Sequence, residues 1–114
     1  YECRLVQLQI EDSPSILFRD MKNSVIPVMV SHGEGRADFD LKEDNVIARY
    51  VDPDHKVTQK YPLNPNGSMN AAAGVCNDDR RITIMMPHPE RMIDKYLSGD
   101  DGSIFFENLL NNFK

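Results

Sequence analysis

Residues 71–91, AAAGVCNDDRRITIMMPHPER, combine two strand-like runs with a rigid ending. The runs AAAGVC and RITIMM flank the turn residues NDDR, and this pattern predicts a β-hairpin. The second run stops at MPHPER, where His88 lies between two prolines and Glu90 follows. Each proline fixes its own φ and keeps the preceding residue out of the helical region. We therefore expect an extended segment over 86–89 directly after the hairpin.

The His88 and Glu90 pair is the first candidate for chemistry. In an extended chain, residues two apart point to the same side, with Cα atoms about 6.6 Å apart. The Glu90 carboxylate can then hold one imidazole N–H, which is the base and orienting half of a nucleophilic triad. The alternative is a surface turn in which Glu90 pairs with Arg91. The tripeptide alone does not decide between the two.

A nucleophile for this pair is harder to find. GVCN resembles the start of a nucleophile elbow at Cys76, but an elbow needs a helix directly after the cysteine, and here NDDRR leads into another strand. The hairpin pairs Cys76 near Arg81, at the far end from His88. We therefore expect Cys76 to be a small buried side chain. The same hairpin brings Ser68 and Met69 near His88, which makes them candidates for lining the pocket.

Composition sets limits on the class of protein. The 114 residues suit one domain, and 13 basic against 18 acidic residues give a net charge of −5. The acidic balance and the lack of a basic stripe argue against a nucleic-acid binder. No apolar run reaches the roughly 18 residues of a membrane span, and no signal peptide is recognisable. Two cysteines are too few for a disulfide framework, so a reducing cytoplasm is expected.

The rest of the chain alternates strand and helix signals within a single partial domain over 1–114. Because the sequence starts in a strand pattern without methionine, we expect it to be a piece of a longer protein. In the first half we expect a strand over 3–10, a helix over 14–21 capped by Ser13, and a buried strand running into a loop over 25–35. A hairpin with its turn at 52–55 and a loop over 63–70 follow. After the second hairpin we expect a helical turn over 90–97 and an amphipathic helix over 103–114 with Phe105, Leu109 and Phe113 on one face.

The SHGEGR segment at 31–36 offers a second pair, His32 and Glu34, on a loop made flexible by glycine. It is either another acid–base pair or, as we favour, a loop that shapes the site or contacts a domain. Arg36 can pair with Glu34 or with a substrate carboxylate. The cysteines and histidines have no metal-ligand spacing, so no metal site is expected.

Six segments, in the order in which they occur, resemble one known family. They are ECRLVQLQI, SHGEGRADF, ARYVD, YPLNPNGSMN, AGV and RITIMMPHPER. Together they are similar to the C-terminal half of the glutaminase domain of phosphoribosylformylglycinamidine synthases, most closely the long-chain form. The resemblance implies an α/β fold with a partial open mixed sheet, the C-terminal half of a class I glutamine amidotransferase-like (flavodoxin-like) domain.

The resemblance also implies roles. His88 would be the base of a Cys-His-Glu triad and Glu90 its orienting carboxylate, while the nucleophilic cysteine lies upstream of Tyr1. Glutamine would be hydrolysed, and its ammonia would pass to a synthase domain that uses ATP and magnesium to aminate formylglycinamide ribonucleotide. This chain would carry no cofactor, would depend on the remaining domains as partners, and would be inactive alone.

Two other functions stay open. One is a self-contained cysteine hydrolase using Cys76, His88 and Glu90, and the other is a non-enzymatic interaction module in which MPHPER is only a rigid turn. We also expect the chain to self-associate through an unpaired sheet edge, with the strand over 3–10 as the exposed edge.

Overall fold

The computed structural model describes residues 1–12, 15–38, 40, 42–94 and 99–112. Five strands and one helix form the framework: β1 (Glu2–Ile10), β2 (Val25–His32), β3 (Val46–Val51), β4 (Ala72–Cys76), β5 (Thr83–Met85) and α1 (Ser103–Asn112). The strands form one sheet in the order β2-β1-β3-β4-β5, and each is antiparallel to its neighbours. The predicted α/β fragment is confirmed, whereas the sheet, predicted to be open and mixed, is curled and antiparallel throughout the described residues.

The first strand forms because its apolar residues alternate with polar ones. Val6, Leu8 and Ile10 are buried, while the intervening glutamines are only partly covered. These residues share one apolar core with Phe18 and with Phe105 of α1, whose rings meet edge to face at 4.9 Å. The predicted C-terminal helix is confirmed over Ser103–Asn112, with Phe105 in the core, whereas Phe113 lies outside the described residues.

The expected position of β1 at an exposed edge is wrong. β1 pairs with β2 over Glu2–Gln9 and with β3 over Gln7–Ile10, so it lies inside the sheet. The reason is that β2 folds back along nearly the whole length of β1. Within the described residues, the outer strands are β2 and β5.

The helix expected over 14–21 is also wrong. The structure has only a 3-10 turn, Ile16–Phe18, capped by the Ser15 side chain; Ser13 and Pro14 lie outside the described residues. The chain must return quickly, because Ile10 and Ser24 already share a backbone hydrogen bond of 2.9 Å. Left-handed backbone at Asp20 and Asn23 makes this reversal and excludes a longer helix.

Of the two predicted hairpins, the second forms over three residue pairs, but its register differs from the predicted one, which placed Cys76 near Arg81. β4 and β5 pair with Gly74 opposite Met85 and Cys76 opposite Thr83. The predicted turn at 52–55 is present, but the strand after it is reduced to a single bridge from Val57 to Val51. Both edges of β3 are already occupied by β1 and β4, so a third partner has no place in the sheet.

The helical turn expected over 90–97 is present only as a 3-10 turn, Pro89–Arg91, and residues 95–98 lie outside the described part of the chain. None of the helices that the structure describes has the length and apolar character needed to cross a bilayer.

Arg49 on β3 holds several of these elements together. Its guanidinium is almost fully buried and donates to Glu11 (2.9 Å), to the carbonyl of Asn70 (2.6 Å) and to Glu43. These contacts connect β3 to the end of β1 and to the turn before β4. That turn contains two successive left-handed residues, Asn70 and Ala71, which need such support.

Replacing Arg49 with alanine should therefore destabilise the fold. Because the change leaves partly buried acceptors unpaired, we expect the free energy of unfolding to fall by about 2 kcal/mol. Urea unfolding followed by circular dichroism measures it. The matched control is Lys22→Ala, which removes an exposed ion pair with Asp12; it should change the free energy by less than about 0.5 kcal/mol. Equal effects of the two changes would contradict the role given to Arg49.

Candidate active site

The segment after β5 carries His88 from one edge of the sheet to the other. Met86 still donates to the Ala73 carbonyl of β4 (2.9 Å), and Pro87 is buried. Two residues later, the His88 N–H donates to the Met29 carbonyl of β2 (2.7 Å) in an antiparallel bridge. Since β5 and β2 are the outer strands, the sheet must curl until its two edges lie close together. His88 is fixed at that junction.

Glu90 reaches the His88 ring as the sequence predicted. Nδ1 of His88 lies 2.6 Å from Oε1 of Glu90. The backbone route differs from the expected one, because Glu90 lies in the 3-10 turn Pro89–Arg91 and not in a continuous extended segment. An ionised carboxylate only accepts hydrogen bonds, so in the neutral imidazole Nδ1 carries the proton and Nε2 is the nitrogen that can accept one.

The electrostatics of Glu90 favour the ionised form. Burial opposes ionisation most strongly, but the hydrogen bond with His88, a backbone hydrogen bond and the charges of His88 and Arg91 together hold the pKa of Glu90 below its ordinary value of 4.5. The carboxylate is therefore available to orient the imidazole at neutral pH. The His88 side chain is about one-third exposed (34%), so a substrate can reach it.

A second histidine flanks His88. His32 ends β2, and its ring centroid lies 6.4 Å from that of His88, with the rings tilted by 42°. Both His32 ring nitrogens are buried and have no hydrogen-bond partner among the described residues. The backbone of Gly35 closes over this ring so tightly that a Cβ there would lie 2.2 Å from the ring carbon Cε1.

The other residues of the SHGEGR segment do not join this site. Glu34 is exposed, and no hydrogen bond or ion pair joins it to His32 within the described residues. Arg36 lies 3.9 Å from Asp38, which is a weak contact between exposed side chains. His32 and Gly35 thus lie beside His88, while the charged side chains of Glu34 and Arg36 are exposed; a role of this loop in shaping the site stays a prediction.

Ser68 and Met69 have different surroundings. Ser68 is fully buried, and its hydroxyl accepts from the Ala37 N–H (3.0 Å) and contacts the Gly35 carbonyl (3.4 Å). Ser68 therefore adjoins the loop that covers His32, and its hydroxyl is occupied by hydrogen bonds with that loop. Met69 is 43% exposed; its role in the pocket stays a prediction. Asn64, which binds the Ser68 backbone, was missed by sequence reasoning because NPNGS indicates only a turn.

Comparison with known proteins assigns this arrangement to a family. Residues 1–99 match the family model of the CobB/CobQ-like glutamine amidotransferase domain. The chain belongs to this family.

A solved structure agrees with the glutamine amidotransferase assignment. The structure of PurLQS from Thermotoga maritima matches with a TM-score of 0.80 and 32% sequence identity. The match covers 99% of this chain and 48% of the other, so the chain spans about half the length of that structure. The resemblance to the glutaminase domain of formylglycinamidine synthase is thereby confirmed.

Within this amidotransferase domain, Cys76 and His88 are far apart. Cys76 pairs with Thr83, five residues before His88, which corresponds to about 16 Å of extended chain. Burial raises the pKa of the Cys76 thiol; nearby Arg80 opposes this effect and Asp78 adds to it. A buried thiol with a raised pKa is a poor nucleophile at neutral pH. Cys3 is exposed on β1, with β2 between it and His88.

The amidotransferase domain shows no metal centre in the part of the chain that the structure describes. No group of three or more histidine, cysteine, aspartate or glutamate side chains there is close enough to hold an ion.

The lowered pKa of Glu90 predicts how its contribution to stability depends on pH. The hydrogen bond with His88 stabilises the fold fully above 4.5, the ordinary pKa, and this contribution is lost as the pH falls through the lower folded pKa. We expect the Glu90 carboxyl carbon to titrate with a midpoint below 4.5 by NMR, and the midpoint to rise in His88→Ala. A midpoint at or above 4.5 in the unaltered chain would show that the pair is not formed.

Proposed function

We propose that this chain is the C-terminal half of a glutaminase domain, which hydrolyses glutamine and supplies ammonia for the amination of formylglycinamide ribonucleotide in purine synthesis. The observation that carries the proposal is the His88–Glu90 pair at 2.6 Å, held at the curled edge of the sheet. Membership of the glutamine amidotransferase family supports glutamine as the substrate.

The chemistry assigns one task to each side chain. Nε2 of His88 accepts the proton of a cysteine thiol as the sulfur forms a bond to the glutamine side-chain carbonyl. When the C–N bond breaks, the imidazolium returns this proton to the leaving amine, which departs as ammonia. His88 then removes a proton from a water molecule, and this water hydrolyses the thioester to glutamate. Glu90 keeps the imidazole in the required tautomer and stabilises its charged form.

The nucleophile is proposed to come from outside residues 1–114. Cys76 is buried and lies at the other end of the hairpin, which argues against a self-contained hydrolase built from Cys76, His88 and Glu90. The chain by itself should then be inactive. An interaction module without catalysis would not need a partly exposed histidine bound to an ionised carboxylate.

Further parts of the proposal follow from the resemblance to the synthase. ATP and magnesium would bind on synthase domains, with no cofactor on this chain. The remaining domains of the synthase would be its partners, and the location would be cytoplasmic. The match to PurLQS supports this assignment at the level of the domain.

The test uses the full-length synthase proposed here, with either glutamine or ammonium chloride as the nitrogen source. We expect His88→Ala to lower the glutamine-dependent rate by about 10³-fold, because general base catalysis contributes on that scale. The ammonia-dependent rate should stay unchanged. Chain 1–114 alone should release no ammonia from glutamine and should form no glutamine-analogue adduct.

The control is His55→Asn, in an exposed turn whose left-handed backbone tolerates asparagine. It should leave both rates unchanged. A His88→Ala enzyme that keeps its glutamine-dependent rate would refute the role of His88. An adduct on Cys76 that disappears with His88→Ala would instead favour the self-contained hydrolase.

We also propose that the isolated chain self-associates through β5. Ile84 of this outer strand (54%) and Ile82 directly before it (59%) are exposed, whereas the β2 edge is partly occupied by the bridge to His88. An unpaired strand with exposed apolar side chains is a template for pairing with another chain.

Light scattering of the isolated chain over increasing concentration tests this association. A rising mass is expected, and Ile84→Lys should lower it towards that of the monomer. Leu110→Lys, an equally drastic change of an exposed residue on α1, is the control and should have no effect. A monomeric mass at all concentrations would contradict the proposal.

A further inference from the structure

Two buried polar side chains adjoin the segment that covers His32. Ser68 and Asn64 are essentially inaccessible to solvent. The Asn64 side chain accepts from the Ser68 N–H (3.2 Å) and donates to the Ser68 carbonyl (3.1 Å). Because buried polar groups that satisfy each other define a unique local geometry, the position of the Ser68 hydroxyl is fixed.

That hydroxyl fixes the segment over 35–37. It accepts from the Ala37 N–H (3.0 Å) and contacts the Gly35 carbonyl (3.4 Å), and the Met69 N–H donates to the Ala37 carbonyl (3.2 Å). Gly35 and Ala37 are both buried. Of these three contacts, only the two made by the Ser68 hydroxyl depend on a side chain. Replacing Ser68 therefore tests them without removing the backbone bond between Met69 and Ala37.

The fixed segment in turn limits where His32 can lie. A single added carbon on Gly35 would approach Nδ1 and Nε2 of His32 to 2.5 Å, so the backbone rests directly against the ring. The His32 ring is next to that of His88, at 6.4 Å between centroids. Movement of the 35–37 segment would therefore allow the His32 ring to shift. The His88 ring would then lose its neighbour on the side that faces His32.

We propose that Ser68 is a positioning residue for His88, acting through the 35–37 segment and His32. The inference rests on the proposed function of His88 as the base. Its consequence is that the NPNGS loop controls the catalytic rate without contacting the reacting atoms. Small misplacements of a base are costly, since a shift of about 1 Å can lower a rate by about 100-fold.

The experiment measures kcat and KM for glutamine in the full-length synthase carrying Ser68→Ala, Ser68→Thr or Gly35→Ala. Ser68→Ala should lower kcat about 10- to 100-fold and change KM by less than about threefold, because it loosens the base and leaves substrate contacts in place. Ser68→Thr keeps the hydroxyl and should restore most of kcat. Gly35→Ala pushes against the His32 ring and should lower kcat even if Ser68→Ala does not fold.

Ser24→Ala, at the opposite end of β2, is the matched control and should behave as the unaltered enzyme. Unchanged kcat in both Ser68→Ala and Gly35→Ala would overturn the inference, and so would a change confined to KM. Failure of Ser68→Thr to restore kcat would also overturn it, since packing and not the hydroxyl would then matter. His88→Ala, measured alongside, separates the two claims, because an active His88→Ala enzyme refutes the proposed function itself.

Discussion

One backbone hydrogen bond, from the His88 N–H to the Met29 carbonyl, determines the shape of this sheet. The two residues belong to opposite edges, and only two residues, Met86 and Pro87, separate the end of β5 at Met85 from His88, so the connection is three residue steps long. Such a segment spans at most about 11 Å. The 2.7 Å bond therefore exists only if the sheet curls, and the prolines on both sides of His88 keep the connection stiff. The candidate active site lies where the curl brings the two edges together.

The same junction gathers three segments that are far apart in sequence. β2 ends at His32, the 35–37 segment closes over that ring, and the NPNGS loop fixes this segment from behind. The Gly, Pro and Asn residues of these loops permit close approach and tight turns, which larger side chains would prevent. His32 thus ends β2 and His88 is bridged to the same strand, while loops supply the packing around His32. This arrangement agrees with a base that must stay fixed while a substrate and a nucleophile approach it.

Sequence reasoning succeeded where local rules decide the structure. The β4–β5 hairpin follows from two apolar runs around a turn, and the contact between His88 and Glu90 is predicted from their spacing, although a 3-10 turn and not an extended segment brings them together. It failed where long-range pairing overrides local preference. The segment after Ser13 has helix-start signals, yet the return of the chain to pair with β1 allows only a 3-10 turn. The bridge between Met29 and His88 has no local signal at all, since 59 positions separate them, and neither has the packing of Gly35 on His32.

The most direct measurement is a crystal structure of the full-length protein trapped with a covalent glutamine analogue. We predict that the modified sulfur belongs to a cysteine outside residues 1–114. It should lie within about 4 Å of Nε2 of His88, with Nδ1 still bound to Glu90. An adduct on Cys76 or Cys3, or on a sulfur remote from His88, would contradict the account, because the nucleophile would then lie within this chain or away from the His88–Glu90 pair.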